Sequence, residues 1–269
     1  MRPVRPNLRR GVFVIPTSLT ILNIFFGFRA IIYATRAIEA IAVGNTSVAV
    51  DCFETACLSI LIAAVFDTFD GLIARQLNAT SEFGKEYDSL ADVVTFGAAP
   101  AVLVYAWGLH VFERLGGGIA FLFLAAVSLR LARFNVQTGK TDHRYFVGLP
   151  SPAGALTLAS MIFFAPVPVT DRSFAIIVMI LTIATAFSMV SPIRYRSQKG
   201  LSLQKERSLM YFVVLAFILG LAFKWPREFW FAGAIAYLAS GPVAKLWSIA
   251  FPSNTTPPAP ELAEETETP

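Results

Sequence analysis

The chain has 269 residues, 55% of them hydrophobic and only 15% charged, and its mean hydropathy is +0.62. A soluble domain of that length does not carry so little charge, so the chain is read as a polytopic membrane protein. The net charge of +4 is a topological signal and makes no case for nucleic acid as a partner. Its apolar runs are long and uniform, which suits membrane helices whose backbone bonds close internally and excludes barrel strands. The predicted fold class is therefore all-α.

Residues 1–14 open as MRPVRPNLRRG, a basic stretch broken by Pro3 and Pro6 that suits a cytoplasmic segment lying against anionic headgroups. Runs long enough to cross a bilayer are then read at 15–36, 48–70, 91–112, 117–135, 151–168, 172–192, 208–223 and 228–250. That makes about eight helices, the fifth and seventh of them short. Pro16 is expected to open the first. Thr20, Asn23 and Gly27 follow on one stripe of it. Such a stripe serves either close helix packing or a polar ligand. Arg29 lies deep in the same run and needs a partner or a water-filled cavity.

The second run carries Asp51 and Glu54 at its outer end. Cys52 and Cys57 lack metal-like spacing and read as small buried hydrophobes. Its inner end is richer in chemistry. Asp67 and Asp70 stand at i, i+3, and Asp88 and Asp92 at i, i+4 of the following helix, so each pair shares a helix face. Four carboxylates that close need something positive among them, and hard dications with oxygen ligands are the usual answer. Gly71 and Ala74 return to nearly the same face as Asp67 and leave a slot for something flat. Arg75 beside them suits phosphate. A break at 78–81 and Gly84 mark the turn into the third helix.

Arg130, Arg133 and Asn135 close the fourth helix, and Arg194 and Arg196 follow the sixth. Gly148, Leu149 and Pro150 read as a tight re-entry turn. His110 and His143 lie away from the aspartates. With the N-terminus inside, the inner segments hold most of the Lys and Arg, among them Arg2, Arg5, Arg9, Arg10, Lys140, Lys199, Lys205 and Arg207, against Arg36, Arg114, Arg172, Lys224 and Arg227 outside. The aspartates then face the cytoplasm. Residues 197–207 form a basic connector, and 208–250 hold two further helices with Trp225, Trp230 and Trp247 near their ends as interfacial anchors. The acidic tail 251–269 should be disordered.

Asp67, Asp70, Gly71, Ala74, Arg75, Gly84, Asp88 and Asp92 together read D-x2-D-G-x2-A-R-x8-G-x3-D-x3-D. This resembles the signature of the CDP-alcohol phosphotransferases at every fixed position. The resemblance implies a six-helix core, here 15–196, a homodimer, and an active site open to the cytoplasmic leaflet of the cell membrane. It also implies two divalent ions, Mg2+ or Mn2+, at Asp67, Asp70, Asp88 and Asp92, with Asp92 also the base. Gly71, Ala74 and Arg75 resemble positions that hold the CDP moiety, with Gly84 in the same motif and Thr20 and Asn23 as an opposite wall.

The stretches IPTSLTILNIFFGF, RLARFN, FVGLPSPA and MVSPIRYR look like those of the type II phosphatidylserine synthase branch of that family. By that likeness the substrates are CDP-diacylglycerol and L-serine, with Arg133, Asn135 and Arg194 as candidates for the acceptor, whose carboxylate suits an arginine fork. Glycerol 3-phosphate, or inositol or its phosphate, is the alternative acceptor within the family. A cation transporter is the alternative outside it, although transporter acids sit near the bilayer midplane.

Overall fold

The computed structural model describes residues 7–76, 81–137, 145–196 and 224–250. Helix α1 (Asn7–Ala42) and α2 (Thr46–Gln76) form an antiparallel pair; α3 (Glu82–Asp92) passes through a π-helical turn (Val93–Ala98) into α4 (Ala99–Trp107). A 3-10 turn (Leu109–Phe112) leads to α5 (Glu113–Gln137), then α6 (Ser151–Phe164), α7 (Arg172–Val190) and α8 (Pro226–Ala250). Two three-residue strands, β1 (Tyr145–Val147) and β2 (Arg194–Arg196), pair antiparallel beside a bundle that is otherwise helical, as the all-α expectation has it. Six elements among the described residues are long and apolar enough to span a membrane: Thr17–Ala42, Thr46–Ile73, Glu82–Trp107, Leu109–Val136, Arg172–Val190 and Pro226–Trp247. The expected span 208–223, the connector 197–207, the tail 251–269 and His143 lie outside the described residues.

The α1–α2 pair is built on small residues. Thr20, Asn23, Gly27, Ala30, Ala34, Ala37 and Ala40 are buried at three- and four-residue intervals along α1, against Ala49, Cys52, Phe53, Ala56, Cys57 and Ile60 of α2. Small side chains bring the two backbones close, which compensates for the absence of a hydrophobic drive between helices in lipid. The opposite face of α1, with Ile21, Phe25 and Phe28, is exposed, as a lipid-facing surface should be. Both cysteines are buried and free, as expected. Arg29 has the partner it requires: it donates to Ser59 Oγ at 3.2 Å and lies over the Tyr33 ring.

Several boundaries differ from the sequence reading. Helix α1 begins at Asn7, so Pro16 lies inside it and does not open it; membrane helices tolerate an internal proline where neighbours re-satisfy the freed carbonyl. The third span starts at Glu82, not 91, because Ser81 caps α3 through its hydroxyl, which accepts from the Gly84 N–H at 2.9 Å. Gly84 is thus in the first turn of the helix, not in the loop. The fifth helix stops at Phe164, short of 168, since Pro166 and Pro168 cannot continue it. There the Trp107 indole donates to the Ala165 and Val167 carbonyls, at 3.0 and 2.9 Å. Trp230, expected as an interfacial anchor, packs on Phe163 with ring centroids 5.3 Å apart.

The re-entry turn forms as expected. Gly148 has φ +82°, its N–H donates to the Ile193 carbonyl at 2.8 Å, and an added Cβ would lie 2.2 Å from the Met189 carbonyl oxygen. Only glycine fits that approach. The turn pins the start of α6 beside the end of α7, at the same end of the bundle as the start of α3 and the ends of α2 and α5.

Candidate active site

Helical periodicity accounts for the aspartates. Asp67 and Asp70 share a face on the last turns of α2, Asp88 and Asp92 share one on α3, and the tight return between them sets the faces against each other. One carboxylate oxygen from each of Asp67, Asp70 and Asp88 lies within 4.8 Å of the other two. Asp92, one turn deeper and 8% exposed, carries a carboxyl that feels the charges of Asp67, Asp88 and Asp70. Asp70 is 6% exposed and accepts a hydrogen bond at 3.1 Å from Thr20 Oγ1.

Asp88 Oδ1 and Asp92 Oδ1 are buried with no hydrogen-bond partner among the described residues. Buried carboxylate oxygens left without donors are costly. Gathered with two more hard oxygen donors, they fit a divalent cation. Asp67, Asp70 and Asp88 are the residues that would hold it, with Asp92 alongside.

Arg130 is the counter-charge. It reaches the site from the last turns of α5, half-buried, and acts electrostatically on Asp92 and Asp67. Its Nη1 donates to Ser151 Oγ, the first residue of α6, at 2.8 Å, and its guanidinium lies over Phe134. Sequence reasoning placed Arg130 at this end of the helix but chose Arg133 and Arg194 for the acceptor. The structure has Arg133 exposed and donating to the Val190 carbonyl at 3.2 Å, so it ties α5 to α7. Asn135 donates to Ser89 Oγ at 2.9 Å, next to Asp88. Arg194 lies in β2, and its side chain is outside the described part. The signal that separates Arg130 is depth: it stands one turn further into the apolar run than Arg133, where an unpartnered charge costs most.

The remaining residues sort by wall. Asn23 is fully buried, and both its amide atoms lack hydrogen-bond partners among the described residues. Thr95, in the π turn three residues past Asp92, donates to the Asn23 carbonyl at 3.2 Å. Gly27 permits this approach, since a Cβ there would lie 2.4 Å from Thr95 Oγ1. Sequence reasoning did not single out Thr95, Ser151 or Ser89. Gly71 directly follows Asp70 and is half-buried, as is Gly84 at the cap of α3. Ala74 and Arg75 lie in the final turns of α2, with side chains outside the described part.

A helical membrane protein with carboxylates of two helices gathered at one end of the bundle, and a half-buried arginine against them, has the donor set of a metal-assisted group-transfer enzyme. The profile of the CDP-alcohol phosphatidyltransferase family matches residues 13–190, and the chain belongs to that family. It is 31% identical over 231 residues to the CDP-diacylglycerol–serine O-phosphatidyltransferase of Helicobacter pylori (strain ATCC 700392 / 26695), covering 84% of this chain and 86% of the relative. It is 35% identical over 143 residues to the protein of that name in Bacillus subtilis (strain 168), covering 53% of this chain and 75% of that one. An archaetidylserine synthase of Methanothermobacter thermautotrophicus is 37% identical over 150 residues, 55% of this chain and 60% of the relative.

Proposed function

We propose that this chain transfers the phosphatidyl group of CDP-diacylglycerol to L-serine, giving phosphatidylserine and CMP. The observation that carries the reading is the convergence of the Asp67, Asp70 and Asp88 oxygens within 4.8 Å, at the family motif. Relatives named for serine as acceptor support the choice of alcohol over glycerol 3-phosphate or inositol. Family membership and acids at one end of the bundle both count against a cation transporter.

Two divalent ions, Mg2+ or Mn2+, would supply charge neutralisation at the pyrophosphate when held by Asp67, Asp70, Asp88 and Asp92. The chain's own residues do the rest. Thr20 keeps Asp70 turned toward Asp67 and Asp88 through its hydroxyl. Gly71, Ala74, Arg75 and Gly84, with Asn23 opposite, form the cradle for the CDP moiety; the buried, unpartnered Asn23 amide supplies a donor and an acceptor. Asp92 takes the proton from the serine hydroxyl as its oxygen bonds to the diacylglycerol-linked phosphorus, and the bond from that phosphorus to CMP breaks with its electron pair leaving on CMP. Arg130, braced by Ser151, holds the serine carboxylate. Arg133, Asn135 and Arg194 form the outer part of the acceptor region.

The distribution of Lys and Arg supports a chain in the cytoplasmic membrane with its N-terminus and active site facing the cytoplasm. The family resemblance supports a homodimer within membrane lipid. Labelled serine, inositol and glycerol 3-phosphate supplied separately with CDP-diacylglycerol test the reading. Label is expected in lipid only from serine, with turnover lost in EDTA and restored by Mg2+ or Mn2+. No lipid product from serine refutes the acceptor, and activity that survives EDTA refutes the metal requirement.

A further inference from the structure

The buried threonines of α6 and α7 turn back on their own helices. Thr157, Thr182 and Thr185 each donate to the carbonyl four residues earlier, at 2.8 Å, a local way to satisfy a hydroxyl that water does not reach. Thr95 is fully buried too, yet its hydroxyl crosses to α1 and donates to the Asn23 carbonyl at 3.2 Å. The backbone around it is also unusual. The π turn starts from Asp92, and the Ala99 N–H reaches back five residues to the Val94 carbonyl. Isolated turns of this kind are rare and frequent at functional sites. This one buries Thr95, Phe96 and Gly97 in succession, with Thr95 against α1 and Gly97 against Leu124 and Val127 of α5. On the α1 side Gly27 admits it, since a Cβ there would lie 2.8 Å from the Thr95 Cα.

We propose that Thr95 is a positioning residue for Asn23: its hydroxyl fixes the α1 backbone at Asn23 to the turn that leaves Asp92, so that the Asn23 carboxamide meets the CDP moiety at a set distance from the base. This rests on the proposed contact of Asn23 with the CDP moiety. Asn23 is fully buried with Nδ2 and Oδ1 both unpartnered among the described residues, a costly state that a bound ligand relieves. Such an amide serves a ligand only if its backbone is held in place. Three residues earlier on the same stripe, the Thr20 bond to Asp70 ties α1 to α2. The Thr95 bond ties it to the helix that carries Asp88 and Asp92. Held at both points, α1 keeps one register against the two halves of the aspartate cluster before substrate arrives.

The test measures CMP release by the full-length protein in mixed micelles, with each substrate varied in turn. Thr95→Val keeps the side-chain shape and removes the donor; the KM for CDP-diacylglycerol is expected to rise about fivefold, with the KM for serine unchanged. Thr95→Ser keeps the donor and should restore the parental KM. Asn23→Ala should raise the same KM about tenfold, and adding Thr95→Val to it should have little further effect, since the two residues act as one unit. A parental KM for CDP-diacylglycerol in Thr95→Val, while Asn23→Ala raises it, overturns the positioning role alone. Equal rises in both KM values, a serine variant as impaired as the valine one, or additive effects of the valine and alanine substitutions also overturn it. A parental KM in Asn23→Ala refutes instead the contact of Asn23 with the CDP moiety. A parent protein that releases no CMP with serine refutes the proposed function itself.

Discussion

Replacing Gly27 with alanine sets two effects of opposite sign against each other. Alanine is favoured over glycine inside a helix by about 1 kcal/mol. The new Cβ, however, would lie 2.4 Å from Thr95 Oγ1, 2.8 Å from its Cα and 2.9 Å from its Cβ. A rotamer change relieves the clash with Oγ1 at the expense of the bond from Thr95 to the Asn23 carbonyl. The clash with the Thr95 backbone has no such relief. Restoring an ordinary carbon–carbon separation of about 3.5 Å moves α1 and the π turn apart by about 0.7 Å, the difference from 2.8 Å. Overpacking of this kind costs about 1–3 kcal/mol, so the clash outweighs the propensity gain. Thr95 follows Asp92 by less than one turn, and misplacing a reacting group by about 1 Å costs on the order of 100-fold in rate. Gly27→Ala is therefore expected to lower the melting temperature in detergent and to reduce kcat for CMP release by about 10- to 100-fold, with smaller changes in KM. Adding Thr95→Ala should recover only part of the loss, because the backbone of residue 95 still stands in the way. A Gly27→Ala protein with parental melting and full kcat would refute the close approach of α1 to the turn that follows Asp92.

Thr20→Val keeps the shape of the side chain but removes the hydroxyl donor to Asp70 Oδ2; the metal concentration for half-maximal CMP release should rise about 10-fold or more, and an unchanged value would show that Asp70 needs no such support. Asp92→Asn is expected to lower CMP release at least about 100-fold while the protein still inserts and binds metal by calorimetric titration, and full activity would remove Asp92 as the base. Gly148→Ala places a Cβ 2.2 Å from the Met189 carbonyl oxygen at φ +82°. It should destabilise the α6–α7 junction by about 1–3 kcal/mol, seen as a lower denaturant midpoint; parental stability would argue against that approach.

The aspartate motif was legible in the sequence because its meaning is local. Carboxylates at i, i+3 and i, i+4 must share helix faces, and a short return between two helices must oppose those faces. The same locality made the membrane class, the buried cysteines and the Gly148 turn readable. Boundaries were harder. Hydropathy starts the third span at 91, whereas the Ser81 cap starts the helix at Glu82. Pro16 has the properties of a helix start, but backbone continuity from Asn7 overrode them.

What only the tertiary structure decided is which side chain turns inward. Arg130 and Arg133 are three residues apart with the same chemistry, and the rotation of α5 about its axis, set by packing on distant elements, gives one to the aspartates and Ser151 and the other to the Val190 carbonyl. Gly27 reads in sequence as one of many small residues; it meets Thr95 because a helix and a π turn far apart in the chain come together there. The docking of α8 likewise rests on the pair of Arg227 with Glu54 of α2, residues far apart in the chain. Sequence by itself therefore determined which carboxylates come together, since spacing along one or two helices suffices for that. The groups that aim them come from long-range packing, which no local pattern encodes.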